Sequence, residues 1–342
     1  MNLYNKQGYV DMTIPIHSPA AVSICIGGRG IGKTYGALLE LHDAKIPFFY
    51  MRRTQTQIDE VTIPVLSPYN QIMKDTGALI TTQKIGKHAV GFYDAERDDK
   101  EVMHPIGDPF AVGIALSTFA NIRGMSAERD LILFDEIIPE RHERPIKEEE
   151  SAFSNVLESI NRNRELNGKR PLKTVLLSNS NTMNSQILSA LGCVKAVDKM
   201  SRTGREYMTL YDGALEIFMY RDSPISERKK STAYYKILQN EDFKNMSLDN
   251  DFAASDYEYV KSEPLTEYNP LVSICDCTVY THKSKDHFYV VPGVKSSARY
   301  DSTELEQNAF KRRYGYLSRA MITRRISYAD VDTKIKFERI WL

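Results

Sequence analysis

Gly27, Gly32, Lys33 and Thr34 satisfy the spacing G-x-x-x-x-G-K-[ST]. A short apolar, β-branched run (AAVSICI, residues 20–26) leads straight into it, and a helix-like stretch (TYGALLELHDAK) follows. No other feature constrains the fold as strongly. Strand, glycine turn and helix in succession put a helix N-terminus at the tip of a buried strand. Glycines let backbone N–H groups curl around phosphate oxygens without a Cβ in the way, and the helix aims its positive end at them. The candidate cradle is Gly27, Gly28, Arg29, Gly30, Ile31, Gly32, Lys33, Thr34 and Tyr35. In it Lys33 reaches β- and γ-phosphates and the Thr34 hydroxyl ligates Mg²⁺. The plain alternative is a glycine-rich turn with a surface lysine.

Hydrolysis of a bound triphosphate needs more than a cradle. LILFDE (131–136) reads as a strand ending in two acids, Asp135 to hold Mg²⁺ and Glu136 to polarise the attacking water. KTVLLSNSN (173–181) is a further strand ending in polar groups, with Asn179 as a sensor of the γ-phosphate or of the water. Arginines fall in three places. NRNRE (161–165) ends an amphipathic helix, where cations are favoured in any case; Arg162 and Arg164 are otherwise candidates for a finger entering a neighbouring subunit's site. Arg123, in NIRG, is another candidate, and Arg52 and Arg53 end a strand and face phosphates, DNA or solvent. Upstream, Tyr4, Asn5 and Gln7 offer a ring and amides for adenine, against the alternative of a frayed terminus.

Composition narrows the class. The 342 residues carry 45 Lys+Arg against 45 Asp+Glu, so a nucleic-acid contact has to be local rather than spread over the surface. The stretch from Glu128 to Glu150 is acid-rich, whereas residues 309–326 are basic and free of acids. With 42% apolar residues the chain is globular, and no 18-residue apolar run is present to span a membrane. The N-terminus lacks a secretory pattern, which points to the cytosol. Four cysteines make no disulfide framework; Cys275 and Cys277 read as ordinary strand residues.

Short apolar strands alternating with helices predict an α/β unit with a mostly parallel sheet over 1–221. Helix 56–74 is interrupted near Pro64 and Pro68, 79–93 form a hairpin, and 207–220 pair about an Asp-Gly turn. Residues 222–250 are polar and read as a linker or lid. Residues 251–342 read as an α+β domain, with strands at 271–280 and 287–292 and a long basic helix near 303–322.

In this order and spacing, GGRGIGKT, YMRR, LILFDE, NRNRE, LLSN and MSLDND (246–251) resemble the genome-packaging ATPase of small podoviruses with protein-capped linear DNA. The P-loop and LILFDE are common to many ATPases. The specific parts are Arg29 within the loop, RNRE before the LLSN strand, and MSLDN. The resemblance implies an additional-strand, catalytic-glutamate P-loop ATPase, a small linker, and an RNase H-like C-terminal domain that has lost nuclease activity. It implies a ring, usually of five copies, on the portal of an empty capsid, driving double-stranded DNA inward with ATP and Mg²⁺, and a structural RNA between ring and capsid. Such a protein works in the host cytoplasm and is absent from the mature virion. Carried across by motif, Lys33 and Thr34 bind phosphate and Mg²⁺, Asp135 holds the metal, Glu136 activates water, Arg162 is the trans-acting finger, and Arg123 acts across the subunit boundary. Asp276 has no convincing acidic partner among Asp286, Asp301 and Glu304, so no nuclease activity is expected, and the basic residues 311–325 are left for binding DNA or RNA. Other classes remain open: a helicase loader, a partitioning ATPase, a kinase, or a capsid protein with a vestigial loop.

Overall fold

The computed structural model describes residues 2–122, 129–140, 143 and 146–341. The chain forms two compact units, Met1–Phe252 and Ala253–Leu342. Residues 222–250 fold within the first, through the short helices Pro224–Lys230, Ala233–Ile237 and Glu241–Lys244.

The first unit is built on β1 (Val22–Gly27), β2 (Phe48–Arg52), β3 (Ile80–Lys84), β4 (Ala89–Arg97), β5 (Met103–Ala115), β6 (Leu131–Phe134), β7 (Lys173–Ser178), β8 (Tyr207–Leu210) and β9 (Leu215–Tyr220). They form one sheet in the order β3-β4-β5-β2-β6-β7-β1-β9-β8. The six strands from β5 to β9 across the middle are parallel, and β3-β4-β5 and β8-β9 add antiparallel edges. The central strands are apolar along their length because both faces are covered; β6 and β9 are buried at every residue. β7 lies between β1 and β6, in parallel register with both. The ends of β1, β6 and β7 that carry the sequence motifs therefore open at one edge of the sheet. The expected hairpins appear as β3-β4 and β8-β9, and the prolines break 56–74 into Gln55–Glu60, a 3-10 turn Pro64–Leu66, and Asn70–Thr76.

The second unit has β10 (Tyr268–Ile274), β11 (Cys277–His282), β12 (Phe288–Pro292), β13 (Arg299–Tyr300) and β14 (Ile326–Tyr328), in the order β13-β10-β11-β12-β14. β10, β11 and β12 form an antiparallel meander, and β13 and β14 add a parallel strand at each side. Two expectations need correction. The strand placed at 271–280 is two strands, because Cys275 turns the chain with φ 50° and puts Asp276 in the connection rather than on a strand. The long helix at 303–322 is two, Glu304–Arg313 and Tyr316–Ile322, parted at Gly315. Phe310, Leu317, Ala320 and Phe337 pack against Val272, Val279 and Val290 to make the core of this unit.

Candidate active site

The loop after β1 behaves as its glycines require. Gly32 has φ +95° at the start of the helix Lys33–Asp43, a conformation that a side chain would strain. Gly28 is needed for space: a Cβ there would meet the Ser247 carbonyl oxygen at 2.4 Å. The first amides of the helix have no intrahelical acceptor, so they are free to receive an anion. Lys33 is buried, and its Nζ donates to Gly27 O and Gly28 O at 2.8 Å each and to Asn179 Oδ1 at 3.1 Å. Burial pushes the Lys33 ammonium down to about 7, an effect that Asp135 opposes. A lysine in this setting regains its charge when a polyphosphate comes beside it.

The acids meet the same loop. The Thr34 hydroxyl donates to Asp135 Oδ1 and Oδ2, each at 3.1 Å. Asp135 directly follows β6, its amide still donating to Met51 O of β2 at 3.0 Å, whereas Glu136 turns into the left-handed region at φ 60°. For a residue other than glycine that is strained backbone, of the kind that clusters at functional sites. The turn sends the Glu136 carboxylate out toward solvent while Asp135 stays inside. Arg52, at the end of β2, bridges the two: NH1 to Asp135 Oδ2 at 3.1 Å and NH2 to Glu136 Oε2 at 2.5 Å. The Tyr50 hydroxyl also donates to Asp135 Oδ2, at 3.3 Å. Partial burial raises the Glu136 carboxyl above its ordinary value, and the Arg52 cation opposes the rise.

A cleft of about 900 Å³ unites these groups; Arg29, Gly30, Gly32, Lys33, Thr34, Tyr35, Asp135, Glu136, Ser178 and Asn179 all line it. Thr34 and Asp135 would hold Mg²⁺, and the hydroxyl and single carboxylate here suit an ion that takes its remaining ligands from phosphate and water. Among the described residues no group of three or more His, Cys, Asp or Glu side chains is placed to hold a metal by itself.

Other predicted residues fall elsewhere. Gln7 lines the cleft but Tyr4 does not: its hydroxyl donates to Arg221 O at 2.5 Å and its ring packs edge-on to Tyr220. Tyr9, which no motif marks, is the ring that reaches the loop; a Cβ on Gly32 would lie 3.1 Å from it. Arg53 is no ligand for phosphate or DNA, being 1% exposed and tied to Glu149 at 2.7 Å and Glu143 at 3.0 Å. Arg162 and Arg164 follow the helix Glu149–Asn161 at the far end of the sheet, where Asn161 Oδ1 accepts from the amide of Leu172, just before β7. Arg162, exposed at φ 41°, donates from Nε to Ser159 O at 2.9 Å. Arg164 is engaged in its own unit, with Asp130 at 2.6 Å and Arg170 O at 3.0 Å. Neither shares the cleft of Lys33. Arg123 lies outside the described residues.

The MSLDN string (246–250) has a structural place in the site. It packs against the back of the P-loop. Ser247 O accepts from the Arg29 amide at 3.2 Å, the Asn250 amide group donates to Ile26 O at 3.3 Å, and the Ser180 hydroxyl donates to Met246 O at 3.3 Å. Lys229 donates to Arg29 O, and the Arg29 guanidinium pairs with Glu140 and lies 5.8 Å from the Phe243 ring.

The family model for podovirus DNA encapsidation protein (Gp16) matches residues 87–274, more than half of the chain. The chain belongs to that family. The matched region holds LILFDE, NRNRE and MSLDND and begins beyond the P-loop. Among solved structures, the N-terminal domain of the DNA packaging ATPase from bacteriophage phi29 is similar at 21% identity and TM-score 0.43, over 65% of this chain and 97% of that one. The large terminase ATPase domain of Thermus phage P74-26 is similar at 14% identity and TM-score 0.36, over 69% and 90%. A search of curated proteins found no match.

Proposed function

We propose that this chain is the ATP-hydrolysing subunit of a homo-oligomeric ring, of five copies, that drives double-stranded viral DNA through the portal into an empty capsid. The observation that carries the reading is that Lys33, Thr34, Asp135 and Glu136 line one cleft in a member of a DNA-encapsidation family. The placement of β7 between β1 and β6 supports the additional-strand, catalytic-glutamate class. In this scheme the P-loop amides and Lys33 hold the β- and γ-phosphates, and Asn179 reports the γ-phosphate to β7. Thr34 and Asp135 would hold Mg²⁺, which would supply charge neutralisation to the phosphates. Glu136 takes the proton of the attacking water once its carboxylate parts from Arg52. Arg162 is the proposed finger in the next subunit's site. Arg164, engaged by Asp130, serves as its support and not as a second finger.

The proposed domains are the ATPase over 1–221, a lid over 222–250, and a nucleic-acid or capsid-docking domain over 251–342. The mixed sheet of the second unit, a meander extended by parallel strands, supports an RNase H-like reading without a nuclease step. Its exposed Arg312, Arg313, Arg319 and Arg324 give phosphate contacts to DNA or to a structural RNA. No helix of the described residues is long and apolar enough to cross a membrane. The proposed setting is the host cytoplasm, at the portal only while DNA enters, and not the mature virion.

The test is ATP turnover against protein concentration and double-stranded DNA, with Lys33→Ala as control. Turnover rises with both in the wild type and is lost in the variant. Arg162→Ala lowers turnover by roughly 10³-fold, and mixing it with Glu136→Ala subunits restores part of the rate, since one complete site then forms at some interfaces. Full DNA-stimulated turnover in Arg162→Ala removes the finger assignment.

A further inference from the structure

The cleft does not stop at the phosphate groups. Beyond Thr34 it follows the outer face of the helix Lys33–Asp43, where Tyr35 and Leu39 stand one turn apart. Tyr9 lines the same cleft, as do Gln71 and Asp75 of the helix Asn70–Thr76. We infer that this end is the nucleoside subsite: the base lies against Tyr9, Tyr35 and Leu39, and the Asp75 carboxylate accepts hydrogen bonds from the ribose hydroxyls. The inference rests on the reading of the P-loop as a triphosphate site and adds selectivity for ribonucleotides over deoxyribonucleotides.

Three observations converge on Asp75. Its carboxylate is shared between the Tyr35 hydroxyl, which donates to Oδ2 at 3.0 Å, and the Gln71 amide, which donates to Oδ1 at 2.8 Å. Both donors, and Asp75 itself, line the cleft. Helix stability does not ask for this residue: Asp75 is in the last turn, where an acid is disfavoured by the helix dipole, and Gly77 at φ 77° already ends the helix. A carboxylate with spare lone pairs beside two rings and an aliphatic side chain matches a ribose joined to a flat base. An acid accepting from the ribose hydroxyls is also how nucleotide folds of other kinds mark that sugar.

The experiment is equilibrium binding of ATP, 2′-deoxyATP and inorganic tripolyphosphate to the full chain with Mg²⁺, for the wild type and for Asp75→Asn, Tyr35→Phe and Lys33→Ala. The wild type is expected to bind ATP about tenfold more tightly than 2′-deoxyATP, as for a hydrogen bond to a charged acceptor. Asp75→Asn is expected to bring that ratio close to one by weakening ATP, with tripolyphosphate affinity and thermal stability unchanged. Tyr35→Phe keeps the ratio, because the carboxylate stays. An unchanged ratio in Asp75→Asn, equal affinities in the wild type, or a ratio lost in Tyr35→Phe overturns the assignment while Lys33→Ala still weakens all three ligands. If Lys33→Ala weakens none of them, the triphosphate reading has failed and the subsite with it.

Discussion

The two ends of the parallel sheet carry the same kinds of side chain and treat them differently. At the end where β1, β6 and β7 open, Lys33, Asp135 and Glu136 line a cleft, and Arg52 pairs with both acids. At the other end Lys173 is enclosed, donating to Ala20 O at 2.7 Å and the Ser23 hydroxyl at 2.6 Å, with Glu216 at 3.8 Å. Arg164 is likewise closed off by Asp130. The difference is in what is left unpaired. The cleft end has the N-terminus of the helix Lys33–Asp43, with left-handed Gly32 at its start and left-handed Glu136 beside it, so amides and a carboxylate face added ligand; at the closed end, where Arg162 is left-handed too, Lys173 and Arg164 are held by backbone carbonyls, Glu216 and Asp130. This matches the rule that open α/β sheets bind ligands outside the carboxyl ends of their strands.

The comparison can be broken by exchanging the lysines' roles in experiment. Lys33→Ala should abolish measurable turnover at little cost in stability. Lys173→Met should leave turnover near that of the wild type and lower unfolding free energy by about 2–3 kcal/mol, since Glu216 then loses its cation inside the protein. Urea melts and steady-state ATPase assays read the two outcomes; turnover that collapses in folded Lys173→Met would erase the distinction. Next in size is Arg164→Ala, expected to cost about 1 kcal/mol with DNA-stimulated turnover preserved. A loss comparable to that of Arg162→Ala would make Arg164 a finger rather than a support.

The smallest effect is in pH. Burial holds Lys33 down to about 7 and Lys173 to about 8. Between those values and the ordinary lysine pKa the unfolded chain binds more protons than the folded one, so stability rises with pH across this window. The lysines part company on adding ATP. Phosphate beside Lys33 favours its charged form, so nucleotide affinity should fall as pH rises from 7 to 9, and binding near pH 8 should take up a proton. Calorimetry in buffers of different ionisation enthalpy detects the uptake. It should vanish in Lys33→Arg and persist in Lys173→Met.

Local sequence carried the sheet and most of the cradle, because β-branched runs, glycine spacing and proline breaks act over a few residues. The contacts that shape the site do not. Arg52 rather than Arg53 reaches Asp135 because the side chains of β2 alternate, and nothing in YMRR says which face is up. Tyr9 displaces Tyr4 because the latter finds Arg221 O, 217 residues away. Gly28 owes its identity partly to Ser247, a contact that only the folded chain brings about. In the second unit, a single left-handed Cys275 turned one apparent strand into a hairpin.

The most direct test is an experimental structure of the chain with Mg²⁺ and a non-hydrolysable ATP analogue. Lys33 Nζ is expected on β- and γ-phosphate oxygens, with the metal bound by the Thr34 hydroxyl and held at Asp135 directly or through water. A triphosphate seated away from Lys33, or a metal with no link to Asp135, would contradict it.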